Sequence, residues 1–393
     1  MNKPSPKSSL RLTTLFKEFF QSQQSAGILL VLATAISLLM ANSSWGQGYI
    51  GFWGQEIGIS SHSFHLEHSI TEWINDALMT IFFLLVGLEI ERELYIGELS
   101  DRKRAMLPMM GALGGMVMPA LIYILFNFNH PATFSGAGIP TATDIAFAIA
   151  IMGLLGDRVP AALKVFLTAL AIIDDLGAIM VIAIFYGGGF NGLYLILSAV
   201  IIAILYVLNK RENENGWLFL ILGTSLWFCM LHSGIHATLS GVILAFALPF
   251  KSGKPHTLSY RVEHSIQWPV SYVILPLFAL ANTAILIPED TSTLISNPAS
   301  LGIFFGLVVG KPLGIVLASL LAVKLGIASL SSNINFKKLL GAGILGGIGF
   351  TMAIFVDNLA FTDPTLIDLG KVSILIASTT CALLGFFLLK SKD

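Results

Sequence analysis

The most unusual chemistry in the sequence lies in ALAIIDDLGAI, residues 169–179, where Asp174 and Asp175 are adjacent within an apolar run. The nearest charged residue before them is Lys164, and the next after them is Lys210. Exclusion of water disfavours the charged form of a carboxyl group, and a second carboxyl group nearby disfavours it further. A bound cation has the opposite effect and expels the proton. The stretch therefore predicts a site at which a cation and protons compete.

The composition of the chain is that of a membrane protein. Of its 393 residues, 55% are hydrophobic and 11% are charged, and the mean hydropathy is +0.81. A soluble protein carries roughly 25% charged residues. The net charge of −1 suggests no nucleic-acid partner. The two cysteines, Cys229 and Cys381, predict neither a disulfide framework nor a metal site, and the polar, basic N-terminus is unlike a cleavable signal peptide.

Twelve apolar segments are candidates for membrane-spanning helices, each of which needs about 20 apolar residues. They are 25–41, 73–96, 105–127, 138–155, 161–186, 193–209, 217–232, 236–250, 269–287, 300–322, 339–360 and 370–389. Lysine and arginine mark cytoplasmic loops, and 20 of them lie at the termini or in even-numbered loops, whereas Lys371 lies in an odd-numbered loop and Lys311 inside a span. The pattern predicts an all-α polytopic domain over 1–393, with 1–24 and the C-terminus cytoplasmic.

The first outer loop, residues 42–72, differs from the other loops. Its stretch GQEIGISSHSFHLEH alternates apolar and polar residues, with glycine between the runs. That alternation is typical of a small β-hairpin. A solvated loop without regular structure fits the same residues, and both interpretations remain open at this point.

Two of the predicted spans are interrupted. The fourth contains GIPTATDIAFAIA, with Pro140 before a polar turn, and the eleventh contains GAGILGGIGFTMAIF, with Gly347 and Gly349 among five glycines. The fourth is the middle of spans 3–5 and the eleventh is the middle of spans 10–12, so the two triplets would run in opposite directions. Broken helices at corresponding positions of inverted repeats indicate the binding site of a transporter. We therefore expect spans 4 and 11 to be unwound in mid-membrane.

Four ionisable residues lie in the middle of predicted spans: Asp144, Asp174, Asp175 and Lys311. Each costs several kcal/mol near the bilayer centre, so a functional role is the first expectation. A purely structural role remains open, because Asp144 and Lys311 could cap the ends of broken helices. Asp174 lies about 15 Å along its helix from Lys164, which is half of a ~30 Å core.

Adjacent residues of a helix project about 100° apart, so Asp174 and Asp175 cannot have the same role. One can face a water-filled cavity while the other contacts a neighbouring helix or Lys311. The Thr143 hydroxyl and unwound carbonyls add oxygen donors, which suit a small hard cation. Divalent ions usually need more carboxylates, so a monovalent ion is expected. Two acids and one lysine allow more than one proton per cation, which predicts electrogenic exchange.

Weaker signals lie at the ends of spans. Asp76 lies near the outer end of the second span, and His236 opens the eighth, where a structural role is favoured. The inner end of the second span is rich in charge, and a solvated, self-paired helix end explains it as well as a pH-sensing funnel does. The residues of this charged group are Glu89, Glu91, Arg92, Glu93 and Glu98, which Glu263 and His264 of a later loop could join.

Six stretches together resemble the NhaA-type bacterial sodium/proton antiporters. They are PTATDIAFA, LTALAIIDDLGAI, GKPLGI, HSGIHATLSGV, FFLLVGLEIERE and GIGFTM. The family is itself a known case of inverted repeats, so the repeat inferred above and the resemblance are not independent. The resemblance implies twelve helices, a Na⁺(Li⁺)/H⁺ antiporter of the bacterial inner membrane, a pH-regulated funnel, and a homodimer joined by an outer hairpin. No cofactor is expected beyond the transported ions.

Residue by residue, the resemblance implies Na⁺ binding at Asp174 and Asp175. Asp175 would be the main ligand, and Asp174 would take a proton and pair with Lys311. Thr143 and Asp144 match the unwound turn, and Asp144 would compensate the facing helix ends. The implied pH-responsive residues are Glu89, Arg92, Glu93, Glu263 and His264. The chain departs from some members of the family at Tyr260 and Gln267, where they have lysine and histidine, so the pH set point does not transfer.

Three other functions are weighed against antiport. A sodium-coupled organic-anion symporter of the same fold leaves Lys311 and the paired acids harder to explain. An intramembrane aspartyl protease would use Asp144 and Asp174 as its dyad, but the Gly-x-Gly-Asp type of motif is absent. A passive channel has no need of a paired proton site. The sequence predicts a transporter rather than an enzyme.

Overall fold

The computed structural model describes residues 6–61, 64–250, 257–288, 292–331 and 333–391, and these residues are mostly helical. We number the helices α1 to α15 and the strands β1 and β2. The helices are α1 Pro6–Ala41, α2 Gly46–Trp53, α3 Ile70–Tyr95, α4 Arg102–Asn127, α5 Ile145–Leu154, α6 Ala161–Phe185, α7 Gly192–Lys210, α8 Gly216–Leu231, α9 Leu239–Ala247, α10 258–282, α11 Ser292–Ser296, α12 Pro298–Lys324, α13 Phe336–Gly346, α14 Phe350–Ala360 and α15 Pro364–Lys390.

Among the described residues, eight helices are long and apolar enough to cross a membrane, and nine if the bent pair α13 and α14 counts as one span. The predicted seventh, eighth and ninth spans do not meet that test. Helix α8 has 16 residues and α9 has nine. At 1.5 Å per residue, α9 is about 13 Å long. The first half of α10 carries charged residues, which lower its mean hydropathy.

Two helices begin earlier than predicted. Helix α1 begins at Pro6 rather than near 25, and α10 begins at Leu258 rather than 269 and ends at Asn282 rather than 287. Both extensions are polar, and a search for apolar segments cannot see a helix that continues beyond the apolar part. A π-helical turn interrupts each of three long helices, at Ile74–Leu78, Val270–Ile274 and Gly306–Gly310.

The outer loop forms a β-hairpin. Strand β1, Glu56–Ser61, pairs antiparallel with β2, Phe64–Ser69, in a register that places Glu56 opposite Ser69. Ser69 then caps α3, since its hydroxyl accepts from the amide of Glu72 and the Glu72 carboxylate accepts from the amide of Ser69. This capping box fixes where the strand ends and the helix begins. Of the two interpretations left open by the sequence, the hairpin is confirmed.

Close helix packing surrounds the two interrupted segments. Helices α4 and α12 pack along their lengths, and Gly114 of α4 and Gly314 of α12 face each other where neither has room for a Cβ atom. Small residues of this kind let membrane helices approach closely. Helix α6 packs against α3, α4, α5 and α13, and α15 packs against α12, α13 and α14. The two interruptions therefore lie inside the helical assembly.

Candidate functional site

The first interruption lies between a 3₁₀ helix, Phe134–Thr141, and α5. Pro140 has no N–H to donate and favours the end of regular helix, and the chain leaves helical geometry at residues 142–144. Asp144 is the N-cap of α5, and its carboxylate accepts from the amide of Phe147 at 3.0 Å. The cap satisfies one of the free amides at the start of the helix.

The second interruption lies between α13 and α14, whose axes differ by 44°. The chain here passes very close to the π turn of α12, because a Cβ atom on Gly347 would lie 2.5 Å from the carbonyl oxygen of Leu307 and 2.7 Å from Sγ of Cys381. Gly349 is also crowded, with Cβ of Ala353 at 2.8 Å from a Cβ added there. These contacts explain why both positions are glycine.

The two interruptions contact each other through Asp144. Its amide donates to the carbonyl of Ile348 at 2.7 Å, and its carboxylate accepts from the Thr351 hydroxyl at 2.5 Å and the Thr351 amide at 3.2 Å. Asp144 therefore lies between the N-termini of α5 and α14, where the helix dipoles favour a negative charge. Sequence reasoning missed Thr351, which lies 207 positions from Asp144.

Lys311 contacts the C-terminal end of a helical segment, whereas Asp144 contacts N-terminal ends. Its Nζ donates to the carbonyl of Thr141, the last residue of the 3₁₀ helix, and lies 3.0 Å from Oδ2 of Asp174. The hydroxyl of Thr143 lies 2.6 Å from the same carboxylate oxygen and 2.8 Å from the carbonyl of Gly346, at the end of α13. Lys311 and Asp174 are both completely buried. Their pairing keeps either charge from being buried alone.

The adjacent acids of α6 have different surroundings. Asp174 contacts Lys311 and Thr143 through Oδ2, whereas Asp175, which is 3% exposed, lines a cleft. Oδ1 of each acid has no hydrogen-bond partner within the described part of the chain. The polar lining of the cleft includes Asp175, Asp144, Glu89 and Thr351. Its oxygen donors suit a hard cation or a proton.

The charged group predicted near the cytoplasmic side is brought together by α3 and α10. Arg92 Nη1 lies 2.6 Å from Glu263 Oε1, and Arg92 Nη2 lies 3.7 Å from Glu93. Glu89, which is buried, lines the cleft on the same helix face. Burial raises the pKa of Glu263 above its ordinary value, and the charge of Arg92 opposes that shift.

Two departures from the family pattern lie in α10 beside this group. The ring of Tyr260 stacks on that of His264, with centroids 6.0 Å apart and planes 7° apart. The side chain of Gln267 lies one turn further along the helix and is partly buried. Glu98 belongs to the predicted group by sequence, but its side chain lies outside the described residues.

Asp76 and His236 lie apart from the central site. The carbonyl of Asp76, in the π turn of α3, accepts from the hydroxyl of Thr80 at 2.5 Å and from the indole of Trp227 at 3.3 Å. Nε2 of His236 lies 2.6 Å from the carbonyl of Tyr186. That contact joins the end of α6 to the segment before α9.

Two buried ionisable residues were not predicted as such from the sequence. Lys371 is not a loop residue but lies in α15, where it is 8% exposed, and Asp357 of α14 is completely buried. Asp357 and Lys371 therefore add an acid and a base to the four ionisable residues predicted inside spans.

The chain is similar over nearly its whole length to known proteins. The profile of a family described as Na⁺/H⁺ antiporter 1 matches residues 17–389. A Na⁺/H⁺ antiporter NhaA of Cytophaga hutchinsonii is 51% identical over 97% of this chain and 96% of its own. One of Vibrio cholerae is 44% identical over 96% of this chain and 98% of its own.

The fold is similar to that of a solved transporter. The structure of the sodium proton antiporter MjNhaP1 from Methanocaldococcus jannaschii at pH 8 matches 96% of this chain and 96% of its own, with a TM-score of 0.51. The sequences are 16% identical, so this likeness concerns the fold alone.

Proposed function

Since the chain belongs to the Na⁺/H⁺ antiporter 1 family and is a sodium/proton antiporter, we propose that it exchanges the ions at Asp174 and Asp175 by alternating access. Antiport itself follows from the family and from relatives that are 51% identical. Those relatives are named as transporters rather than as enzymes. The site, the stoichiometry and the direction are our proposal.

One observation supports this location of the exchange site: the two adjacent acids differ in their contacts. Asp174 contacts a lysine and a threonine through Oδ2, whereas Asp175 faces a cleft. Oδ1 of each acid has no hydrogen-bond partner among the described residues. A buried carboxylate without donors binds either a proton or a cation, because its unpaired charge is costly. Asp175 is therefore the main sodium ligand, and the Thr143 hydroxyl and the nearby carbonyls are further oxygen donors.

Asp174 provides the second proton. When Asp174 is ionised, the charge of Lys311 at 3.0 Å balances it. When Asp174 takes a proton, Lys311 keeps its contact with the Thr141 carbonyl at the helix end. Two acids thus lose protons when one sodium ion binds, so net charge crosses the membrane in each cycle, and the membrane potential drives exchange. Protons flow inward and sodium is exported, and Li⁺ uses the same site.

The interrupted helices provide the moving parts. Asp144 and Thr351 join α5 to α14, and Thr143 joins the first interruption to α13. A small shift of these short helices against α6 would open the cleft to one side or the other. Such movement around a fixed site is how transporters with inverted repeats work. We therefore place spans 4 and 11, unwound in mid-membrane, at the pivot of the transport cycle.

The wider setting is also part of the proposal. The chain forms a single domain of twelve spans in the bacterial inner membrane, with both termini cytoplasmic, and it pairs as a homodimer. Short helices α8 and α9 and the apolar half of α10 supply the three spans that are too short or too polar to stand out. The pH response resides in the group that links α3 to α10: Glu89, Arg92, Glu93, Glu263 and His264.

Everted vesicles test the site directly. Sodium added to vesicles with an acid interior dequenches a ΔpH dye if protons leave in exchange. We expect D175N and D174N each to abolish dequenching between about pH 6 and pH 9, since an amide cannot bind a proton or balance sodium. The matched control is D101N, which removes an exposed carboxylate and keeps the parent rate. Full exchange by D175N at normal membrane levels would falsify the proposed site.

A further inference from the structure

Asp357 is a buried acid that the exchange site does not use. It is 0% exposed, and neither of its carboxylate oxygens has a hydrogen-bond partner within the described part of the chain. The carboxyl group lies against the backbone of α15 at Gly370, where a Cβ atom would be 2.7 Å from Cγ and 2.9 Å from Oδ2 of Asp357. The absence of a side chain at Gly370 thus provides the room for this acid.

The charged and titratable groups around Asp357 come from three directions. Lys371 and Asp368 on α15 act on it electrostatically, and its own charge acts on Tyr123 of α4 and on Tyr186 at the end of α6. Both phenols donate elsewhere: Tyr123 to the carbonyl of Thr133 at 2.6 Å, and Tyr186 to that of Ser135 at 2.8 Å. Among the described residues, Lys371 is therefore the cation that acts on Asp357.

A buried carboxylate with no hydrogen-bond donor costs several kcal/mol if it is ionised and unpaired. Two states avoid that cost at Asp357. In one, the acid carries a proton and is neutral; in the other, it is ionised and the positive charge of Lys371, which is 8% exposed, compensates it. Because both states are open to it, Asp357 can take up and give back a proton.

Asp357 also lies on the same helix as Thr351, which contacts the exchange site. It follows Thr351, which contacts Asp144, by six residues of the same helix, or about 9 Å along its axis. Helix α14 ends three residues later at Ala360, and residues 362–365 are exposed. In the orientation of the proposed function, this end of α14 faces the outside.

We propose that Asp357, with Lys371 as its charge partner, is a second proton-binding site, through which protons from outside reach Asp174 and Asp175. This inference rests on the proposed function, which supplies the orientation of the chain in the membrane. A proton from outside water binds the Asp357 carboxylate, and the neutral acid passes it through water to the central acids. Asp357 then returns to the carboxylate, so it consumes nothing and gains no covalent bond.

Sodium efflux from right-side-out vesicles tests the inference, with the outer pH varied between about 6 and 9 at fixed inner pH. We expect D357N to lower the rate about tenfold at alkaline outer pH, where proton capture limits exchange. Sodium binding to the purified variant, measured by calorimetry, should stay within about twofold of the parent, because the central site is intact.

Two further variants, K371Q and D368N, test the charges that act on Asp357. Without the lysine charge Asp357 holds its proton more tightly, so K371Q should shift the outer-pH profile of efflux upward by about one unit. D368N removes the negative charge that also acts on Asp357, so it should shift the profile slightly in the opposite direction. Parent-like profiles of both D357N and K371Q overturn the inference. If D357N does not reach the membrane, a parent-like profile of K371Q alone overturns it. If D175N retains efflux, the proposed function fails instead.

Discussion

At the central site, the single hydroxyl of Thr143 has two acceptors, Asp174 Oδ2 at 2.6 Å and the carbonyl of Gly346 at 2.8 Å. A hydroxyl has one proton to donate, so it serves one acceptor at a time. When Asp174 is ionised, the carboxylate is the stronger acceptor. When Asp174 is protonated, the hydroxyl is free to bond the end of α13, so Thr143 links the charge of Asp174 to a moving helix.

T143V tests that link, since valine keeps the shape and removes the donor. A hydrogen bond to a charged group contributes about 1.5–3 kcal/mol, so we expect the KM for sodium to rise about tenfold or more while exchange persists. The measurement is dye dequenching against sodium concentration. The control is T379V on α15, where an exposed hydroxyl bonds its own helix. An unchanged KM for T143V would show that the hydroxyl has no part in binding.

Glu263 gives a prediction about pH and stability. Burial raises its pKa above the ordinary value of 4.5, and Arg92 opposes this only in part. The folded protein therefore binds this proton more tightly than the unfolded chain does. From about pH 4.5 upward to the raised pKa, the free energy of unfolding falls as the pH rises.

E263Q removes this titration, so its melting temperature in detergent should fall less steeply over that pH range than the parent's. Differential scanning fluorimetry across the range measures the two slopes. E67Q, which changes an exposed glutamate of β2, should keep the slope of the parent. Equal slopes for parent and E263Q would mean that Glu263 contributes no linkage between folding and protons.

At the scale of elements, the second interruption depends on a close approach of two helices. Replacing Gly347 by alanine would place a Cβ atom 2.5 Å from the Leu307 carbonyl and 2.7 Å from Cys381 Sγ, so the backbone must move. We expect G347A to lower stability by about 1–3 kcal/mol and to slow exchange more than it weakens sodium binding. Thermal melting and transport kinetics measure both effects.

The control for G347A is G192A at the start of α7, where an added Cβ meets nothing within 4 Å. That substitution removes a glycine from a helix and should be neutral or slightly stabilising. If G347A melts and transports like G192A, the tight packing at the interruption is not needed for the movement.

How far the sequence predicts the elements depends on what each element faces. Long apolar helices such as α6 and α12 are found within a few residues, because lipid demands a long apolar segment. Helix α9 lies inside the predicted eighth span but is shorter than that span, and the polar start of α10 was not predicted, because a search for apolar segments does not detect polar residues that continue a helix. The hairpin was predicted as one of two alternatives, since alternation over few residues is a weak signal.

The candidate site was predicted in its residue types but not in its contacts. Charges in apolar runs reveal Asp144, Asp174, Asp175 and Lys311 without any structure. Their partners lie far along the chain, as Thr351 does from Asp144, and only the packing of α5 on α14 brings them together. Asp357 was missed because a charge near a helix end usually reaches water, and only the fold shows that α15 covers it.

At the scale of the whole molecule, the hairpin contacts the start of α3 and does not line the cleft of the exchange site. It is a two-stranded sheet, so each strand has one edge with unpaired backbone groups, and Ile57 on β1 is 57% exposed. Such an edge can pair with another chain. The resemblance implies a homodimer joined by this hairpin, so we propose the hairpins of two copies as the contact, while each protomer keeps a complete exchange site.

Deletion of the hairpin tests whether the dimer contact and the exchange site are separate. The amide of Ile70 donates to the carbonyl of Gln55 at 3.0 Å, so the two ends of the hairpin already meet. A short glycine link can therefore replace residues 56–68 and leave Ser69 in place as the cap of α3. We expect the shortened chain to be a monomer by native mass spectrometry and to keep exchange within about twofold of the parent, because no described contact joins the hairpin to Asp174 or Asp175.

The control is the same deletion combined with D175N, which should be a monomer without exchange. A dimer that survives the deletion would place the interface elsewhere, and a monomer that has lost exchange would mean that one protomer's site depends on its partner.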